Sequence, residues 1–183
     1  MVHDRRVTFV SKWLRRARQA KDEFDRFFSA WIALVVAAQS IRDSSGRHPE
    51  EDSDRQRVVS YFLVKKDKVM RALEKCQTEM MWLASRRGTT YGNSIIDTGN
   101  QDLRDRFARL SRHYIDGEAM QEDELVTTVA ELLNKVRNNV FHGGKVYDDK
   151  EDLKLLKNVN PVLLAVLEES EGRTANSRCT ACR

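Results

Sequence analysis

The sequence predicts an all-α fold, an up-and-down bundle of about five or six helices. Three observations carry that expectation. Apolar residues recur at intervals of three and four, the spacing of one helix face. Only two prolines and eight glycines punctuate 183 residues. No stretch sustains the alternation of a half-buried strand. The length suits one domain with a single sizeable core, placed at residues 1–170, with flexible loops at about 43–54 and 88–100 and a disordered tail at 171–183.

The first helical region runs from near Val7 to about Ile41. Its second half carries Phe24, Phe27, Phe28, Trp31, Ile32, Val35 and Ala38, apolar on nearly every side, and is therefore the expected central helix. DSSGRHPEEDSD interrupts it with Ser, Gly, Pro and charge. A long helix follows from about Asp54 to Arg87, with Val58, Tyr61, Phe62, Val69, Leu73, Cys76, Met80 and Leu83 on one stripe, and Gly88 ends it. GTTYGNSIIDTGN lacks periodicity and reads as a loop covering a cleft. A shorter helix at about Gln101 to Tyr114 aligns Leu103, Phe107 and Leu110. From about Glu122, Leu125, Val126, Val129, Leu132, Leu133, Val136 and Val140 trace one helical face. The last helix, within DDKEDLKLLKNVNPVLLAVLEE, has acids in its first turn, where the helix dipole favours them. Pro161 inside it predicts a kink or a fresh start capped by Asn160.

The net charge of +4 is modest but polarised. Met1 to Lys21 holds seven Lys/Arg against one Asp, and Arg55 to Arg87 nine against three acids. Residues 43–54 hold one Arg against five acids. Basic helices joined by acidic connectors suit a surface that tolerates phosphate, and equally describe solvated amphipathic helices. Three cysteines (Cys76, Cys179 and Cys182) and no leader pattern predict free thiols in a reducing, cytoplasmic compartment. The CxxC of Cys179 and Cys182 supplies half of a zinc site, with no second pair beside it. The longest apolar run, Phe27 to Ala38, is twelve residues. A membrane span requires about twenty, so no membrane partner is expected.

Chemistry concentrates in LLNKVRNNVFHGGKVYDDK, residues 132 to 150. Arginine is a permanent planar donor for phosphate oxygens, and histidine exchanges protons near neutrality. Arg137 and His142 together suffice for metal-free RNA cleavage: histidine deprotonates a ribose 2′-hydroxyl or protonates the leaving oxygen, and arginine stabilises the charge gathering on phosphate. Asn138 is placed to orient Arg137 or hold a phosphate oxygen, and Asn139 and Lys145 are further substrate-binding candidates. On a wheel of ~100° per residue, Arg137 and His142 stand about 140° apart. Unwinding at the His142-Gly143-Gly144 step, or a second copy of the chain across a twofold axis, would reunite them. The bland alternative is a helix end: basic residues favour a C-terminus, and Gly stops helices.

VRNNVFHGGK resembles the signature of the HEPN superfamily, all-α domains marked by an Arg, a neighbouring polar residue and a His four to six residues on. Arg137, Asn138 and His142 stand at those places, with four residues between Arg and His. The aromatic helix FDRFFSAWIALVVAA is also similar to the early core helix of such domains. The resemblance implies an endoribonuclease, without metal or other cofactor, that leaves 2′,3′-cyclic phosphate ends. It implies a homodimer whose two Arg/His pairs meet in a composite cleft. Family members of this type act as toxins or effectors in bacterial defence, restrained by an antitoxin or other defence partner. Others have lost catalysis and serve as nucleotide-binding, RNA-binding or protein-interaction modules. The subgroup paired with nucleotidyltransferase antitoxins carries a Tyr two residues after the His, where this chain has Gly144.

Among the other histidines only His113, with Arg109 and Arg112 close by, offers a second phosphate-facing cluster. Trp13, Trp31 and Trp82 lie in apolar stripes and read as core or interface residues.

Overall fold

The computed structural model of the chain describes residues 2–45, 53–85, 101–142 and 150–171. Among these the chain forms eight helices and no strand: α1 (Val2–Gln19), α2 (Glu23–Ser45), α3 (Asp54–Val64), α4 (Lys66–Lys75), α5 (Gln77–Ser85), α6 (Gln101–Ile115), α7 (Glu122–His142) and α8 (Lys150–Glu171). The all-α class stands, and the helix number exceeds the expected five or six. The expected loop at 88–100 and the tail beyond 171 lie outside the described residues, with Cys179 and Cys182. Of the loop expected at 43–54, residues 46–52 also lie outside the described residues, while α2 continues to Ser45 and α3 has its cap at Ser53.

Two expected long helices are divided. The region from Val7 to Ile41 is two helices, because Asp22 Oδ1 accepts from the backbone N–H of Asp25 at 2.8 Å and starts α2 afresh. Arg26 holds the corner, donating to the Ala20 carbonyl at 2.9 Å and to Glu23 at 2.7 Å. The region from Asp54 is three helices. It opens with a capping box in which Gln56 N–H donates to Ser53 Oγ and Ser53 N–H donates to Gln56 Oε1. At Lys65 (φ −100°, ψ 19°) and Cys76 (φ −115°, ψ 26°) the backbone slips toward the bridge region and the axis breaks. The breaks let one stripe follow several neighbours. Helix α3 packs on α2 and α7, α4 on α8 and α7, and α5 on α6 and α8. Val58, Tyr61, Phe62, Val69, Leu73 and Met80 are all fully buried along it.

Helix α2 is the middle of the molecule, packed against α1, α3 and α8. From Phe27 to Ala38 only Phe28 is exposed. Ala30, Ala33, Ala37 and Ala38 present only a methyl group and are at most 2% exposed, so the surrounding helices approach closely. Leu125, Val126, Val129, Leu133 and Val136 bury the expected face of α7.

Pro161 neither ends nor restarts α8, which runs through it. Asn160 is therefore no cap. Fully buried, it donates from Nδ2 to the Glu23 carbonyl at 2.9 Å and to Glu23 Oε2 at 2.7 Å. The start of α2 is thus tied to the middle of α8. Beside it the Cys76 thiol donates to the Pro161 carbonyl at 3.7 Å. At the end of α8, Tyr61 Oη donates to Glu171 at 2.9 Å and Lys68 Nζ to the Ser170 carbonyl at 3.1 Å, satisfying an acceptor the helix itself cannot. Burial, then the Glu171 charge, pushes the Tyr61 hydroxyl pKa far above its usual value. No helix among the described residues is long and apolar enough to cross a membrane.

Asn160→Ala removes both bonds to Glu23, one of them charge-assisted, and is expected to cost about 2 kcal/mol. Its thermal midpoint, followed by circular dichroism, should fall by about 4 to 8 °C. Burial holds the Cys76 thiol up at about 11, from an ordinary 9.0. The folded thiol therefore keeps its proton where the unfolded one ionises, and this contribution to stability is lost as pH rises from about 9 to about 11. Peptide mapping after iodoacetamide treatment at pH 8 should find Cys76 alkylated only once the chain is unfolded.

Candidate functional site

The candidate site is built on the last turns of α7, whose inner residues Leu133 and Val136 anchor it in the core. Arg137 follows at the rim of that face, one quarter exposed. The site is partly lined by aromatic rings. Its guanidinium carbon lies 5.2 Å from the Phe141 ring centroid and 6.0 Å from that of Trp31, fully buried on α2. Both distances suit cation–π attraction. One terminal nitrogen donates to Asn138 Oδ1 at 2.9 Å, and the other faces Asp54 Oδ2 at 3.4 Å. Asp54, the first residue of α3, also faces Arg57 NH1 at 3.5 Å. One carboxylate therefore lies between two guanidinium groups, and both it and Arg137 retain contact with solvent.

Of the residues expected to act together, the structure unites Arg137 and Asn138. Asn139 is half-buried at the next position. Helix α7 is unbroken from Glu122 to His142, so it does not unwind before the histidine. Position 142 consequently falls about 140° round the helix from position 137 and about 7.5 Å further along its axis. A single α7 does not present the two positions on one face. The Gly143-Gly144 step and Lys145 lie outside the described residues.

Sequence reasoning missed Asp54, Phe28 and the ring-lined setting of Arg137. Asp54 read as the end of an acidic connector; it is 83 positions from Arg137 in sequence and no local pattern joins them. Phe28 read as core, yet it is 39% exposed and stacks on Phe141 with centroids 5.3 Å apart. Further back on α7, Glu131 accepts from both Arg55 of α3 and Arg106 of α6, tying those two helices to α7.

The second cluster weighed from sequence does not converge. Arg109 pairs with Glu124 at 2.9 Å, and His113 Nδ1 lies 3.6 Å from Glu118. Among the described residues no three or more His, Cys, Asp or Glu side chains gather as a metal ion would require.

The chain matches no protein-family model, no curated protein and no solved structure.

Asp54 competes with any anion for Arg137. Asp54→Asn removes that charge while keeping the shape, and should tighten binding of inorganic pyrophosphate by about two- to fivefold, the scale of a part-exposed ion pair. Arg137→Ala should abolish the gain. Isothermal titration calorimetry checks both.

Proposed function

We propose that this chain is a HEPN-type endoribonuclease that cleaves RNA without a metal and works as a toxin or effector in bacterial defence. The single observation that carries the reading is the held Arg137-Asn138 pair inside Arg-Asn-Asn-Val-Phe-His-Gly-Gly-Lys, at the end of a helix that stays intact to the histidine.

In the proposed reaction His142 takes the proton of a ribose 2′-hydroxyl. The 2′-oxygen bonds to phosphorus, the bond from phosphorus to the 5′-oxygen of the next nucleotide breaks, and that oxygen takes up a proton. The products are a 2′,3′-cyclic phosphate and a free 5′-hydroxyl. Arg137 faces the phosphate oxygens as charge accumulates there, its effect strengthened on one side by the buried Trp31 ring. Asn138 orients the guanidinium through the bond already made. The angle between positions 137 and 142 supports a homodimer, in which each cleft takes arginine from one subunit and histidine from the other.

A second reading, a catalytically inactive HEPN-like module binding RNA, a nucleotide or another protein, draws on Asp54. A guanidinium already facing a carboxylate at 3.4 Å is partly neutralised before any substrate arrives.

The deciding experiment follows labelled RNA in EDTA. Wild-type protein should cut it and leave cyclic phosphate ends, and Arg137→Ala and His142→Ala should each slow cleavage by at least about a hundredfold. If both variants cut as wild type does, the assignment is wrong. Binding without cleavage selects the inactive module. Mixing the two inactive variants should restore about a quarter of wild-type activity, because only mixed dimers contain one complete composite cleft.

A further inference from the structure

Helix α1 sets Phe9, Lys12, Trp13 and Arg16 on one stripe, at spacings of three and four. Phe9 is 46% exposed, Lys12 and Arg16 are exposed, and Trp13 is half-buried with the Arg16 guanidinium carbon 5.2 Å from its ring centroid. From this stripe a file of rings crosses the surface. Phe9 and Trp13 have centroids 6.1 Å apart, Trp13 and Phe28 of α2 6.5 Å, and Phe28 and Phe141 of α7 5.3 Å. Beyond Phe141 comes Arg137. Three helices thus contribute four rings in sequence, and Phe9, Phe28 and Phe141 are each about two-fifths exposed or more.

Rings left in water at this density call for a partner, and charge selects which. Lys12, Arg15, Arg16 and Arg18 are all exposed on α1. Arg18 pairs with Glu168 at 2.7 Å and Arg16 faces Asp25 at 3.7 Å, while among the described residues no ion pair engages Lys12 or Arg15. A second copy of the chain placed over the file by a twofold axis would bring basic residues against basic residues. A polyanion neutralises them instead, and its bases offer flat faces to the rings.

We infer that the Phe9-Trp13-Phe28-Phe141 file is a stacking track for single-stranded RNA, with Lys12, Arg15 and Arg16 holding its phosphates and its far end delivering the strand to Arg137. The choice of RNA, and the direction toward Arg137, rest on the ribonuclease reading. The single-strand preference rests on the rings alone, because the bases of a duplex are stacked on one another and closed to aromatic side chains.

The test uses full-length His142→Ala protein, so that nothing is cut, and a fluorescently labelled oligouridylate of about ten nucleotides. Anisotropy should show binding that weakens about tenfold on adding Phe9→Leu or Phe28→Leu, which keep apolar bulk and lose the aromatic face. A thermal midpoint close to the parent's confirms that each variant is folded. Lys12→Gln, a surface change with no core role, should flatten the salt dependence of log K by about one unit. Duplex RNA of equal length should bind more weakly and ignore the leucine variants. The inference is overturned if the leucine variants bind as the parent does, or if duplex outcompetes single strand. It is equally overturned if sedimentation shows those variants losing self-association while RNA affinity is unchanged, which would make the file a chain–chain contact. Ring-dependent binding in a protein whose wild type never cuts RNA sinks the ribonuclease reading alone. Cleavage with ring-independent binding sinks the stacking track alone.

Discussion

Helix α2 is stable in water only while its neighbours cover it, because Phe27, Ala30, Trp31, Ala33, Leu34, Ala37 and Ala38 leave it almost no polar face. That requirement organises the molecule. Helices α1, α3 and α8 close around it, and the methyl-only positions set how near they come. Asn160, at the centre of α8, ties that helix to the start of α2 by donating to the Glu23 carbonyl and to Glu23 Oε2. The same packing turns Phe28 outward and leaves Trp31 inward beside α7.

The electrostatics of Arg137 follow from where α2 and α3 end up. A guanidinium is tolerated beside apolar walls when its planar face meets rings and its edge meets acceptors. Here Phe141 and Trp31 supply the rings, and Asn138 and Asp54 the acceptors. The arrangement keeps the charge preorganised without saturating it. A guanidinium has five N–H donors, and these contacts engage only its two terminal nitrogens. Because Asp54 is itself shared with Arg57, it holds Arg137 loosely.

How much of this was legible locally differs from residue to residue. The apolar stripes through Val58 to Met80 and Leu125 to Val136 were readable, since burial of a helix face imposes its period on the sequence. The break at Asp22 also left a trace, a short polar residue followed three positions later by another acid, but a continuous apolar period on both sides masked it. Lys65 and Cys76 left none: the stripe continues across both bends, because the bends exist to keep that stripe in contact with successive partners. Of the two readings of Pro161, a kink or a fresh start, the fresh start fails, because proline removes one helical hydrogen bond yet does not end a helix whose neighbours hold it.

By itself, then, the sequence determined that the chain is helical, which faces are buried, and that an arginine, an asparagine and a histidine lie close together near the end of one helix. Those properties are local, set by a 3.6-residue period and by side-chain chemistry. Only the tertiary structure decided that Asp54 meets Arg137, that Trp31 and Phe141 flank it, and that rings from α1, α2 and α7 fall into one file. Each of those meetings depends on how separate helices cross and in what register. That is fixed by the summed fit of the whole core, and no short stretch of residues encodes it.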